Sequence, residues 1–170
     1  MEEKRTINTT LALIRRGDEI LLGTKKRGFC AGTVNGFGGK QDPGETIEQA
    51  MVRETFEEVG ITPTEYEKTA FIKFDTDYKG ERVFIDMYVY NVTKFTGEAM
   101  ETEEMRPQWY SINDLPFDQM LGDDKLWLPD VIQGKCIIGK VEFSDNMKVD
   151  PICTFRTVEK EELFENEMNI

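Results

Sequence analysis

Three glutamates sit close together in this chain: Glu54, Glu57 and Glu58, spaced E-x-x-E-E, with Arg53 before them and Val59-Gly60 after. At 100° per residue this spacing puts all three on one side of a helix, continuing the side begun by Ile47, Ala50 and Met51, with Val52, Phe56 and Val59 opposite. For stability alone the grouping is poor. Like charges at i,i+3 and i,i+4 cost about 0.2 to 0.5 kcal/mol per pair, and acids in a last turn face the negative end of the helix dipole. A cation from outside the helix would offset both penalties. Carboxylate oxygens suit a hard ion such as Mg²⁺, which commonly links protein acids to substrate phosphates. The plain alternative, in a chain with 33 Asp plus Glu, is a solvated acidic face.

The elements that must position these acids are legible on either side. Thr46 followed three residues later by Gln49 has the form of a capping box, Pro43-Gly44 before it marks a turn, and Gly60 suits a left-handed helix end. The helix is therefore expected to start at Thr46 and end at Gly60. Ahead of it runs the glycine-rich stretch Asn35-Gly36-Phe37-Gly38-Gly39-Lys40. It is neither of two familiar phosphate loops: Val34 stands where G-x-x-x-x-G-K needs its first glycine, and Gln41 breaks G-x-G-x-x-G. The basic triplet Lys25-Lys26-Arg27 reads either as a solvated loop or as an attractor of polyphosphate.

Composition narrows the classes. With 170 residues, 39% of them hydrophobic, the chain is expected to form one domain over residues 1–170 with a sizeable core. A net charge of −12 argues against a long nucleic acid as partner, since its phosphates demand clustered Lys and Arg. The absence of histidine removes the commonest general base and any Ser-His or Cys-His nucleophile, leaving carboxylates and metal to carry chemistry. Cys30, Cys136 and Cys153 form no C-x-x-C pair and are expected as buried free thiols in a reducing compartment. No signal peptide and no apolar run long enough for a membrane span is visible, so a cytoplasmic protein is expected, with nucleus and mitochondrion open.

Along the chain, residues 7–14 and 19–23 read as strands around an Arg16-Gly17-Asp18 hairpin turn. Residues 66–74 and 82–92 read as strands joined by a polar turn over 75–81, and the imperfect alternation in the second predicts burial on both faces. Trp109-Tyr110 reads as the start of a short strand. Residues 121–133 read as a helix with Asp123 as N-cap and a late start or kink at Pro129. Residues 137–143 and 152–158 read as closing strands, and 159–170 as an acidic tail. Strands interleaved with two main helices predict an α/β fold, a mixed sheet covered on both faces.

The central stretch resembles the Nudix box, G-x5-E-x7-R-E-U-x-E-E-x-G-U, with U a bulky apolar residue. Gly39, Glu45, Arg53, Glu54, Glu57, Glu58, Gly60 and Ile61 match it, while Thr55 departs at the first U. Seven fixed letters at about one in fifteen each give a chance match on the order of 10⁻⁶ along the chain, so the resemblance is specific. It implies the Nudix fold, an α/β/α sandwich with a mixed β-sheet. From about Thr10 to Val158 the chain also resembles the oxidised purine nucleoside triphosphate hydrolases of that family, through K-K-R-G-F, N-G-F-G-G-K, G-E-T-I-E, E-M-R-P-x-W and D-D-x-x-W-x-P.

That resemblance implies hydrolysis of nucleotides such as 8-oxo-dGTP and 2-hydroxy-dATP to monophosphate and pyrophosphate, cleansing the nucleotide pool. It implies a small-molecule nucleoside triphosphate as partner, no membrane, a monomer, and Mg²⁺ as cofactor with Mn²⁺ as substitute. Residue by residue, it implies metal ligation by Glu54, Glu57, Glu58, Glu104 and the Gly38 carbonyl, and orientation of a glutamate by Arg53. Lys40 would meet phosphate, with Lys25 as a further attraction. Glu58 would take the proton from the nucleophile, with Glu57 as the alternative. The base pocket would comprise Asn35, Asp123 and Asp124, walled by Thr10, Phe29, Phe74, Met105 and Trp127. Two adjacent aspartates in an apolar pocket cannot both ionise cheaply, so one would hold a proton, and exchanging which one would let a single pocket read oxidised guanine and oxidised adenine alike. Leu121 stands where better-known members place a stacking tryptophan.

Other readings stay open from sequence: a Nudix hydrolase of another nucleoside diphosphate-linked substrate, such as a capped RNA or a dinucleoside polyphosphate, and a silent binding module on the same fold. The first would want a basic channel, for which only residues 25–27 offer material. The intact box acids weigh against the second.

Overall fold

The computed structural model describes residues 5–144 and 150–165. In chain order they form β1 (Thr6–Arg16), β2 (Glu19–Lys25), β3 (Val34–Asn35), α1 (Ile47–Val59), β4 (Thr62–Tyr78), β5 (Glu81–Thr96), β6 (Met105–Ser111), α2 (Asp124–Ile132), β7 (Cys136–Glu142), β8 (Ile152–Val158) and α3 (Lys160–Glu165). The strands make one sheet in the order β3-β2-β1-β5-β4-β7-β8, with β6 also paired to β2. Two pairings, β1 with β5 and β4 with β7, are parallel; the others are antiparallel.

Apolar residues alternate across this sheet into cores on both faces. On one face Leu11, Leu13, Ile72, Phe74 and Val89 pack with Trp127, Leu128 and Val131 of α2. On the other, Ala12, Ile14, Leu21 and Tyr90 pack with Met51 and Val59 of α1. Further along that second face, Phe71 and Ile138 pack with Leu163 of α3, and Tyr88 touches both clusters. The expected α/β/α sandwich is what forms.

Several local readings need correction. The β4–β5 turn is only Lys79-Gly80, both at positive φ, and the polar residues Asp75 to Tyr78 are strand. They persist as strand because Arg82 pairs across the hairpin with Asp75 at 2.8 Å and Asp77 at 3.8 Å. Trp109-Tyr110 lies near the end of β6, not its start, because Met105 to Gln108 already pair with β2. Asp123 precedes α2 as expected but makes no cap; its carboxylate accepts instead from Trp127 Nε1 at 3.0 Å. Pro129 sits inside that helix. Part of the acidic tail folds as α3 around fully buried Leu163, and residues 166–170 lie outside the described residues. Among the described residues the three cysteines form no disulfide and are half-buried rather than buried. Among the described residues no helix is long and apolar enough to cross a membrane.

Candidate active site

Helix α1 is built to present its acids. Thr46 Oγ1 accepts from Gln49 N–H while the Gln49 side chain accepts from Thr46 N–H, and Gly60 closes the helix at φ 76°. Ala50, Met51, Thr55, Glu58 and Val59 are buried, so Val59 belongs to the core-facing side, and Phe56, placed opposite, is 58% exposed. Thr55 fits its apolar slot by donating its hydroxyl to the Met51 carbonyl at 2.7 Å. Of the three glutamates, Glu57 is exposed and Glu58 is buried.

Arg53 ties this helix to the loop before it. Its fork grips Glu45 twice, Nε to Oε2 at 3.0 Å and Nη2 to Oε1 at 2.6 Å, and Nη2 also donates to the Lys40 carbonyl at 3.0 Å. From the other side, Nη1 donates to Glu54 at 2.9 Å and Glu57 at 3.3 Å. The bidentate bond holds Glu45 down to a pKa of about 2 and raises that of the guanidinium. Arg53 thus orients two of the acids through direct contact, and Glu58 is not one of them.

Glu58 is positioned by the glycine stretch. That stretch is pinned against β1: Thr10 N–H donates to Gly39 O at 2.9 Å, and Phe37 and Ala12 exchange bonds at 2.6 and 3.1 Å. A side chain at Gly38 would lie 1.8 Å from the Thr10 carbonyl oxygen, and one at Gly39 would lie 2.5 Å from the Glu54 carboxyl carbon. Glycine is required at Gly38, where the clash is with backbone, while at Gly39 it leaves room for the Glu54 carboxylate. The Gly38 N–H then donates to Glu58 Oε2 at 3.0 Å. Burial outweighs that bond and pushes Glu58 up to about 8, with the charges of Glu54 and Glu104 adding to the rise. Glu54 is raised as well, chiefly by burial. Thr102 Oγ1 donates to the Glu58 carbonyl at 2.8 Å and accepts from the Glu104 and Met105 N–H groups, so one hydroxyl ties the bend bearing Glu104, just before β6, to the helix end. The Glu104 side chain leans on Arg27 at 3.3 Å. Among the described residues no three acidic, cysteine or histidine side chains are gathered into a ready metal cluster.

A cavity of about 190 Å³ opens beside Glu58. Thr10, Lys25, Phe29, Asn35, Phe74 and Met105, all expected in the site, line it together with Gly38 and Leu121. The remaining expectations fare differently. Trp127 is 1% exposed in the core and does not line the cavity; it acts through its bond to Asp123. Asp123 and Asp124 are buried beside it and are not cavity-lining, each with one carboxylate oxygen lacking a partner among the described residues. Burial raises both, and Asp124 well above an ordinary aspartate because it faces Asp123, whose own charge the Trp127 N–H supports. Burial therefore keeps the two facing carboxyls from both ionising, and the pair holds a proton. Lys40 Nζ lies 4.4 Å from the centre of the Tyr78 ring, and its bond holds the Tyr78 phenol below its usual pKa. Tyr78 in turn meets Phe29 edge-on at 5.5 Å. The basic triplet is largely spoken for: Lys26 pairs with Glu101 at 2.9 Å, and Arg27 with Glu103 and Glu104.

Three participants escaped the sequence reading. Glu45 was visible only as a motif letter, its eight-residue spacing from Arg53 being the available signal. Tyr78 was read as turn. Thr76, a fully buried cavity-lining threonine whose hydroxyl has no partner among the described residues, carried no signal at all.

Comparison with known proteins bears on the family and the fold. Residues 4–131 match the NUDIX domain. The chain is 46% identical over 134 residues to the oxidized purine nucleoside triphosphate hydrolase of Danio rerio, covering 79% of this chain and 85% of that one. It is 40% identical over 136 residues to the protein of the same name from Mus musculus, covering 80% and 86%. In fold it resembles the crystal structure of a mutator MutT protein from Bacillus halodurans, with a TM-score of 0.73 over 89% of this chain and 97% of that one, at 20% identity.

Proposed function

The chain belongs to the NUDIX domain family, and on that premise we propose that it hydrolyses oxidised purine nucleoside triphosphates, such as 8-oxo-dGTP and 2-hydroxy-dATP, to the monophosphate and pyrophosphate. The observation that carries the reading is Glu58, a buried carboxyl pushed up to about 8 and held by the Gly38 N–H at the wall of a largely apolar cavity. The likeness to the zebrafish and mouse hydrolases supports the same substrate class.

The acids suit a divalent cation. Glu54 and Glu58 are both raised, and each feels the charge of Glu104, a repulsion that a cation would relieve. Glu54, Glu57, Glu58, Glu104 and the Gly38 carbonyl would hold it, and an all-oxygen donor set favours Mg²⁺, with Mn²⁺ as substitute. When bound, the ion supplies neutralisation of phosphate charge and acidification of a water. Glu104 reaches it by leaving Arg27, an exposed ion pair of a kind worth about 0 to 1 kcal/mol.

The chain's own residues do the rest. Arg53 fixes Glu54 and Glu57 while its grip on Glu45 and the Lys40 carbonyl fixes the loop, so helix and loop keep one spacing. Glu58, held by the Gly38 N–H at the cavity wall, takes the proton of the attacking water. Lys25 and Lys40 face the phosphates. Phe29, Phe74, Met105 and Leu121 exclude water around the base, and Asp123 and Asp124, which do not line the cavity, would have to turn toward it to read the base edge.

The test is a pyrophosphate-release screen over the four ordinary and the oxidised nucleoside triphosphates, with and without chelator. Preference for an oxidised purine, abolished by chelation, is the expected result. Equal turnover of ordinary nucleotides, or turnover only of dinucleoside polyphosphates, would defeat the substrate assignment.

A further inference from the structure

Resting on that substrate reading, we propose that Thr76 is a specificity-determining residue whose hydroxyl hydrogen-bonds the purine in the cavity. Strand alternation puts Ile72, Phe74 and Thr76 on one face of β4, where they stand opposite Met87, Ile85 and Val83 of β5. Every member of this row except Thr76 is apolar. Ile72 and Phe74 belong to the α2-side core, and Thr76 continues their row at the cavity wall.

Thr76 is 0% exposed, and its Oγ1 has no partner among the described residues. Valine has the same shape and would fit among Phe74, Val83 and Ile85 without the standing penalty of an unsatisfied hydroxyl. A threonine there makes physical sense when something entering the cavity completes its bonding.

The other polar groups of the cavity are more committed. Asn35 Oδ1 accepts from Gly36 N–H at 2.9 Å, the Thr33 hydroxyl donates to the Cys30 carbonyl at 2.7 Å, and Glu58 accepts from Gly38. Thr10 also has an unpartnered hydroxyl, but it alternates with Leu11 and so points to the α1 side of the sheet, beside the glycine loop. On the apolar, α2 side Thr9 also lines the cavity but is partly exposed to water, so Thr76 is the fully buried hydroxyl there whose bonding is left open among the described residues. A hydroxyl rotates to donate or accept, so it can satisfy a ring nitrogen, a carbonyl or an N–H on a base edge. A site built to bond such a group rejects the analogue lacking it far more strongly than apolar contact alone allows.

The test uses Thr76→Val and Thr76→Ser in the full chain. Binding is measured calorimetrically for the monophosphates of 8-oxoguanine, 2-hydroxyadenine, guanine and adenine nucleosides and for inorganic pyrophosphate. Thr76→Val is expected to melt about 2 to 4 °C higher and to bind the preferred monophosphate about 5- to 10-fold more weakly, with pyrophosphate binding unchanged. Thr76→Ser should keep the wild-type affinity to within about twofold, because it keeps the hydroxyl. Unchanged monophosphate affinity in Thr76→Val, or an equal loss on pyrophosphate, overturns the proposal. A wild-type preference for an unmodified base overturns the substrate reading instead, and the Val-to-Ser contrast on that base still judges Thr76. Binding of none of the four overturns both.

Discussion

Glu58 and Asp124 are both acids that burial makes reluctant to ionise, and they answer different tests. Glu58→Gln keeps the shape and removes the proton acceptor, so kcat should fall by at least about 100-fold with an unchanged circular dichroism spectrum; near-normal turnover in the folded variant would move the base to Glu57. Asp124 has a folded pKa well above its ordinary 3.8, so the folded state holds an extra proton in the window above that value. Stability from this group is complete below the unfolded pKa and is lost as pH rises toward the folded one. Asparagine is neutral without needing that proton. Asp124→Asn and wild type should therefore melt together near pH 3.5, and the variant should melt higher at pH 7.5 while losing discrimination between oxidised guanine and oxidised adenine; a melting difference independent of pH would mean Asp124 is ionised in the fold. Leu121 lines the cavity, so Leu121→Trp adds a stacking surface and should lower KM several-fold with little change in kcat. The three acids were legible because their spacing alone defines a helix face, whereas the part played by Arg53 came only with the family resemblance. Trp127 was not, because a tryptophan that walls a pocket and one that braces an aspartate from the core are the same letter.

At the level of elements, the capping box and Gly60 fixed the limits of α1 in advance, since both signals are local. The long β4–β5 hairpin was less legible. Its acidic end looks like a loop until Arg82 is brought across from β5 to neutralise Asp75 and Asp77, which only pairing can do. The junction between the glycine loop and α1 separates support from chemistry at neighbouring residues. In Gly38→Ala the new methyl meets the backbone of β1, which cannot yield, so a loss of several degrees in Tm is expected. In Gly39→Ala it meets the Glu54 carboxylate at the end of a flexible side chain, so the acid swings away, Tm changes little and turnover falls. Equal melting losses in the two variants would show that the loop does not discriminate in this way.

Across the whole molecule, the charge of −12 is offset locally by pairs such as Lys26 with Glu101 and Arg82 with Asp75, leaving the α1 acids as a concentrated repulsion. Millimolar Mg²⁺ should raise Tm by more than Na⁺ at equal ionic strength, because a specific ligand of the folded state adds to general screening; identical shifts would leave only screening. The hydroxyl of Thr102, which joins the end of α1 to β6, bears on time as well as geometry. It meets the Glu58 carbonyl across 44 residues of chain, with the whole β4–β5 hairpin between them. A hairpin with a two-residue turn zips in about 1 to 10 μs and, by pairing Thr62 with Thr96, leaves only short segments to close before Thr102 reaches the helix end. During refolding, strand signal should therefore return before nucleotide binding does, and a stopped-flow comparison of far-ultraviolet ellipticity with quenching by a fluorescent nucleotide would time the gap. Glu104 therefore joins the acids of α1 only after the hairpin that separates them has closed.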